Sequence, residues 1–378
     1  MERFAFMIHP LDISDISRKF GFAKKLPPRW LESALKVIPP LTVSEITGVR
    51  SEVADEIRGW FIGCPLTARQ MMELDQDYVT RKIIKAAQKS EELGAKIVGL
   101  GAFTSVAGDA GVTVARNVGI AVTTGNSYTV ATALQGVDYA ADLLDIDLGG
   151  ARVAVLGASG SIGKACARIM ARKGYEITLV ARRREPLLEV AKLIEEESGT
   201  RARVETEVSA GVRDADVVLA VTSAVDAVVD PMALKSGAIV CDVARPRNVG
   251  RQVAELRDDV FVFEGGVVRP PGDVEFNFNF GFPAKTCYAC MAETMILTLE
   301  KRFENFSLGR DLDPEKVQEI ADLAVKHGFS LAGLRSFERA VTDEYIDRVK
   351  SGIKRSKGKK AAKSPVLARV DTEENASV

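Results

Sequence analysis

The sequence predicts an α/β protein: a doubly wound parallel sheet, preceded by an N-terminal α/β domain and followed by C-terminal helices. Three observations carry that prediction. From residue 151 onward, short β-branched runs alternate with helical patterns. A glycine-rich turn stands between the first of these runs and its helix. A weaker strand–helix alternation occupies the first 125 or so residues. With 378 residues, 46% hydrophobic and 27% charged, the chain has the profile of a folded protein of about two domains. A formal net charge of -1 gives no global attraction to nucleic acid, so any charged partner must be read by a local patch.

The N-terminal α/β domain is expected over 1–126. Residues 4–8 read as a strand ending at His9-Pro10. Residues 78–93 put apolar side chains at helical spacing with charges between them, and Gly94 stops that helix. Residues 96–101 give the following strand and 120–123 another. Residues 127–144 form a long helical pattern that Asn126 or Ser127 is placed to cap. With Gly149-Gly150 behind it, 127–150 reads as a connecting helix. The dinucleotide-type domain is expected over 151–268, with strands at 153–156, 177–180, 217–221, 238–241 and 260–263. A C-terminal helical segment follows over 269–350, with helices from about 285 to 303 and from 314 to 327. Residues 351–378 are lysine-rich and then acidic, and read as a disordered tail.

Gly157, Ser159, Gly160, Ser161, Ile162 and Gly163 belong to a GxxGxxG turn directly between a strand and a helix. A lone glycine pattern says little; in this context it is the fingerprint of a Rossmann dinucleotide site. The glycines allow a tight turn and close approach of a pyrophosphate, and the helix N-terminus supplies N–H donors to that anion. The end of the second strand selects the cofactor. An acidic residue there would serve the ribose hydroxyls of NAD. This chain has Ala181-Arg182-Arg183-Arg184 instead, and guanidinium groups suit a 2′-phosphate. NADPH is the expected cofactor, with Arg182 first and Arg183 second as its phosphate ligands. Thr222 and Gly265, after the later strands, complete the expected cofactor set.

Five cysteines occur, at 64, 166, 241, 287 and 290. The N-terminus lacks the pattern of a signal peptide, and no stretch approaches the roughly 20 apolar residues of a membrane span. A reducing cytoplasm and free thiols are therefore expected. Cys287 and Cys290 form C-x-x-C, which admits four readings. Zinc needs about four ligands, and with only His9 and His327 as histidines none is expected to be bound. A redox dithiol usually belongs to a thioredoxin-like unit, which is not the context here. A thiolate at a helix start would be a nucleophile. The last reading is two small buried thiols, and on the residues alone it leads.

A resemblance changes that balance. Several segments are similar to the long-chain acyl-[acyl-carrier-protein] reductases: Ile8-His9, Glu45-Ile46-Thr47, the stretch around Cys64, Gly101-Ala102-Phe103-Thr104-Ser105 and Thr123-Thr124-Gly125-Asn126. The Gly157 loop with Ala181-Arg182, Gly265-Gly266-Val267-Val268, and Ala289-Cys290-Met291-Ala292-Glu293 continue the series. Asn305-Phe306-Ser307-Leu308-Gly309-Arg310 and His327-Gly328-Phe329 close it. The A-C-x-A-E and N-F-S-x-G-R segments are the specific ones. The resemblance implies that Cys290 is an acyl-accepting nucleophile; Cys287 lies outside the pattern. The family has Thr-His where this chain has Ser127-Tyr128, so no imidazole role carries over at that point.

The implied activity is NADPH-dependent reduction of a long-chain acyl thioester, on acyl carrier protein or coenzyme A, to a fatty aldehyde. Oxyanions would be met by N–H groups at the start of the Cys290 helix, with Ser105 and Asn126 as side-chain candidates beside their plainer turn and cap roles. His9 is an acid–base candidate, although a structural hydrogen-bonded histidine is the simpler reading. His327 most simply complements a helix dipole. Phe276, Phe278, Phe280 and Phe282 alternate and would line an acyl tunnel or form ordinary core. Lys24-Lys25 with Arg29, or Arg81-Lys82 with Lys85, would offer a basic docking face or simply solvated surface. Two other activities compete: a shikimate- or quinate-type NADP-dependent dehydrogenase without thiol chemistry, and an NADPH-binding protein without turnover.

Overall fold

The computed structural model describes residues 1–13, 15–16, 27–222, 229–244, 247–279 and 283–363. Lys24, Lys25, Phe280 and Phe282 lie outside the described residues.

The first sheet takes β1 (Arg3–Ile8), β2 (Leu41–Ser51), β3 (Ala54–Gly63), β4 (Ile97–Leu100) and β5 (Ala121–Thr123). β3, β1, β4 and β5 run parallel, and β2 turns back antiparallel on β3. The second sheet holds β6 (Arg152–Leu156), β7 (Glu176–Val180), β8 (Arg203–Glu205), β9 (Val217–Ala220), β10 (Ile239–Asp242) and β11 (Phe261–Glu264). Its order is β8-β7-β6-β9-β10-β11, all parallel. In sequence order this is the 3-2-1-4-5-6 Rossmann arrangement, whose direction reverses between β6 and β9. The central strands β6, β9, β10 and β11 are buried on both faces, so they read as largely apolar runs.

Beyond β11 the chain departs from a purely helical segment. β12 (Val267–Arg269), β14 (Cys287–Tyr288) and β15 (Ser330–Leu331) make a small antiparallel sheet. β13 (Gly272–Glu275) crosses back and pairs antiparallel with β2, so the first sheet has six strands. β16 (Arg335–Ser336) and β17 (Arg339–Ala340) extend the Rossmann edge beside β11. The expected helix at 285–303 is shortened to Ala289–Leu299, because Cys287 and Tyr288 are spent on the ladder with Val268 and Val267.

The connecting helix runs Asn126–Leu144 and is buried along most of its length between the sheets. The expected tail from residue 351 is corrected in part: one helix spans Asp343–Lys363. Its apolar side, Ile346, Val349 and Ile353, packs onto the Rossmann edge, and a β-carbon on Gly352 would stand 2.2 Å from the Asp258 carbonyl oxygen. Burial of that stripe and a backbone contact only glycine permits anchor the helix as far as residue 353, so the start of the expected tail is ordered; 364–378 lie outside the described residues. No helix among the described residues is long and apolar enough to cross a membrane.

Candidate functional site

The glycine turn lies at the reversal point of the Rossmann sheet. Gly157 has φ +85°, and a β-carbon there would sit 2.8 Å from Thr222 Cα at the end of β9. A β-carbon on Gly163 would sit 2.4 Å from the Gly157 carbonyl oxygen, so that glycine lets the helix Ser161–Arg172 close on the turn. Ser159 and Gly160 are exposed, and Gly160 heads the helix with no side chain capping it. The first-turn N–H groups therefore face a ligand position rather than a capping oxygen, which fits a pyrophosphate. Asn248, fully buried, fixes the facing strand end by accepting from the Thr222 N–H at 3.0 Å. Arg182 and Arg183 follow β7, both exposed, with no carboxylate in ion-pair range among the described residues. That leaves both guanidinium groups open to an external anion.

Cys290 is the second residue of the helix Ala289–Leu299 and is half-buried. Two glycine contacts hold its turn. From the Rossmann side, the carbonyl of Gly266 (φ +82°) accepts from the Ala289 N–H at 2.7 Å. Its neighbour Gly265 lies against Cys241, with room for no side chain: a β-carbon would meet the sulfur at 2.9 Å. From the first sheet, the loop after β5 brings Gly125 (φ +73°) flush against Cys290. The next residue, Asn126, reaches the glycine turn, its amide donating to Ser161 Oγ at 3.5 Å. The cysteine and the glycine turn are thus joined through two consecutive residues.

Cys287 is different in kind. It is fully buried in the β12–β14 ladder, and desolvation raises its thiol pKa well above the ordinary value. No group of three or more histidine, cysteine or acidic residues able to hold a metal occurs among the described residues.

The connecting helix is not capped by Asn126 or Ser127, as the sequence suggested. Its N-cap is Gly125, and the acceptor comes from another helix. Glu293, fully buried, accepts from the Tyr128 N–H at 2.8 Å and from the hydroxyl of Thr123, whose Oγ1 also accepts from the Gly125 N–H at 3.3 Å. Ser307 Oγ donates to Ser127 Oγ at 2.7 Å, and Thr124 donates to the Ser307 carbonyl. The A-C-x-A-E, T-T-G-N and N-F-S-x-G-R segments therefore meet at the start of the connecting helix. Sequence reading quoted Glu293 within its motif and gave it no role; its partners lie more than 160 positions away on one side, which no spacing rule detects.

The remaining candidates have hydrogen-bond or packing partners of their own. Ser105 is buried at the end of a short turn, Ala102–Ser105, and its hydroxyl donates to the Ala102 carbonyl at 2.6 Å. His9 has both ring nitrogens engaged: Nε2 accepts from the Phe103 N–H at 3.0 Å, which leaves Nδ1 to donate to the Pro10 carbonyl at 3.0 Å. Desolvation lowers its pKa to about 4. His327 does more than complement a dipole. It is buried between Ser51 Oγ at 2.9 Å and Glu300 Oε1 at 2.6 Å, tying the β2 end to the cysteine helix. Phe276 and Phe278 both pack 6.0 Å from the Phe61 ring, as core beside β3. Lys82 is buried and donates to the Ile38 carbonyl at 2.8 Å, which removes it from any docking face; Arg81 and Lys85 are exposed.

Comparison with known proteins matches residues 138–264 to the shikimate/quinate 5-dehydrogenase family model, which covers the Rossmann strands and ends before the cysteine helix. A long-chain acyl-[acyl-carrier-protein] reductase of Synechococcus elongatus is 31% identical over 83% of this chain and 94% of its own length. Aminotransferase PigE of a Serratia species is 29% identical over 93% of this chain, which spans only 40% of that protein. Among solved structures, L-tryptophan dehydrogenase from Nostoc punctiforme is 13% identical, with a TM-score of 0.37, over 94% of this chain and 89% of that one.

Proposed function

The chain belongs to the family of long-chain acyl-[acyl-carrier-protein] reductases, and from that premise we propose that it reduces a long-chain acyl thioester to a fatty aldehyde through an acyl-cysteine at Cys290. It is an oxidoreductase with a nicotinamide-dinucleotide fold. The observation that supports the finer reading most is the chain of contacts from Cys290 through Gly125 and Asn126 to Ser161 in the glycine turn.

The cofactor is NADPH in this reading. The Gly157–Gly163 turn would hold its pyrophosphate, and Arg182 with Arg183 its 2′-phosphate. When bound, NADPH supplies hydride. Cys290 thiolate adds to the thioester carbonyl; the new C–S bond forms as the bond to the carrier sulfur breaks, and the carrier leaves as a thiol. After reduction of the acyl carbon, the tetrahedral oxyanion on Cys290 collapses, the C–S bond breaks and aldehyde departs. The thiolate is regenerated. A helix N-terminus favours that thiolate, and Tyr288 brings no side-chain cap to compete for the first-turn N–H groups. The Ala289 N–H is held by the Gly266 carbonyl, so the N–H groups after it, with the Asn126 amide, would meet the oxyanion. Among the described residues the Asn126 amide makes one long bond, to Ser161, so re-aiming it costs little. Ser105 would have to leave its turn to help, which makes it the weaker donor.

The substrate would be delivered on acyl carrier protein or as the coenzyme A thioester. A shikimate-type dehydrogenase shares only the cofactor half of this account, since that family match stops at residue 264. The test is NADPH oxidation with long-chain acyl carrier protein and acyl-coenzyme A, with aldehyde trapped as a hydrazone, and in parallel NADP⁺ reduction with shikimate. Aldehyde from either thioester, lost in Cys290→Ala, supports the reading. Turnover of a hydroxy acid that survives Cys290→Ala rejects it.

A further inference from the structure

We infer that Glu293 is a positioning residue for the thiol: it holds Cys290 in register with Asn126 and the glycine turn by clamping the start of the connecting helix to the cysteine helix. The inference rests on the reductase reading above and adds to it a residue that touches neither substrate nor cofactor.

Glu293 stands one helical turn after Cys290, on the same helix. Its carboxyl is wholly inside the protein, a costly position unless every lone pair is used. They are used on one element in particular. The Tyr128 N–H is a first-turn donor of the connecting helix, and Thr123, whose hydroxyl donates to the carboxyl, ends the strand that feeds that helix and accepts from the Gly125 N–H at 3.3 Å. Ser307 bonds the same helix start, its hydroxyl donating to Ser127 Oγ at 2.7 Å, on the segment whose Phe306 N–H bonds the Val122 carbonyl at 3.0 Å. The carboxyl therefore fixes Gly125, which touches Cys290, and the helix start that carries Asn126, which touches Ser161. A glycine at φ +73° has no side chain to lock it, so the register depends on its backbone donor being held. Burial pushes the Glu293 pKa up, which limits the charge that would otherwise stand near a thiolate.

The test uses the full chain as wild type, Glu293→Gln, Glu293→Ala and Thr123→Val. Cys290 acylation by palmitoyl-coenzyme A is timed without NADPH, NADPH binding is titrated, and Cys290 alkylation by iodoacetamide is timed with and without NADP⁺. Misplacement of a reacting group costs on the order of a hundredfold, so Glu293→Ala is expected to acylate about a hundredfold more slowly. Its NADPH dissociation constant should stay within about twofold, as for a site with no shared contact. Glu293→Gln keeps an acceptor for the helix N–H groups and should recover to within about fivefold of wild type. Wild-type acylation by Glu293→Ala, or equal failure of the glutamine variant, overturns the inference. If Glu293→Ala does not fold, Thr123→Val, which removes the hydroxyl between the carboxyl and the Gly125 N–H, takes its place with an expected loss of about fivefold, one buried hydrogen bond's worth; an unchanged rate overturns it. If wild type itself is never acylated, the reductase reading fails separately, and the alkylation arm decides for Glu293. NADP⁺ should then slow alkylation in wild type and lose that protection in Glu293→Ala; equal behaviour of the two proteins overturns the positioning role.

Discussion

Gly125 leaves no room for a side chain against Cys290: a β-carbon built on the glycine would stand 2.3 Å from both the Cα and the Cβ of the cysteine. The two residues come from different sheets' connections, and their contact brings the thiol turn to the edge of the Rossmann crevice. Gly125→Ala would both strain a left-handed backbone and push the cysteine away. We expect a loss of roughly 1–3 kcal/mol in stability and about a hundredfold in aldehyde formation, with NADPH affinity nearly unchanged. Thermal melts, turnover and a fluorescence titration of NADPH check the three parts separately.

The two cysteines of C-x-x-C should separate cleanly. Cys287→Ala removes one buried sulfur from a tight ladder and should cost about 1 kcal/mol of stability while leaving turnover within severalfold. Cys290→Ala should fold normally and make no aldehyde. Equal effects of the two substitutions on turnover would contradict the assignment of different roles.

In the proposed reading Arg182 and Arg183 carry the cofactor preference. Replacing both with alanine should raise the KM for NADPH by about tenfold to a hundredfold, the worth of one or two charge-assisted bonds, and leave the KM for NADH where it was. Steady-state kinetics with both cofactors gives the ratio directly. A uniform loss for both would move the discrimination elsewhere.

How much of this was legible beforehand follows from the range of the interactions. The parallel strands β6, β7, β9, β10 and β11 and the glycine turn are local patterns, and the sequence places them within a residue or two of where they lie; the three-residue edge strand β8, with arginine and glutamate at its ends, carries no apolar run to mark it. The β2–β3 hairpin was not read, because its register shifts three times and breaks the alternation that marks a strand. β13 carries glycine and acidic residues and looks like loop; only its partner β2 makes it a strand. The roles of Gly125 and Glu293 are set by residues from another part of the chain and cannot be inferred from spacing. The Cys290 motif was visible, but its nearness to the glycine turn was not.

His9 provides a pH prediction that does not depend on catalysis. Its pKa falls from 6.5 to about 4, chiefly through desolvation, because the folded protein holds the ring neutral between Phe103 and Pro10. Its contribution to stability is complete above pH 6.5, where both folded and unfolded chains carry it neutral. It declines as the unfolded chain binds a proton first, and is gone once the pH has fallen through 4. His9→Gln, which cannot titrate, should flatten the dependence of melting temperature on pH across that window. An unchanged slope would assign the acid sensitivity to other groups.

The most direct measurement of the central claim is the covalent one. Wild-type protein is incubated with a radiolabelled long-chain acyl thioester in the absence of NADPH, digested, and the labelled residue mapped. The account predicts label on Cys290 alone, stable until NADPH is added and then released as labelled aldehyde. Label on another residue, or none under conditions where the protein turns over thioester, would contradict it.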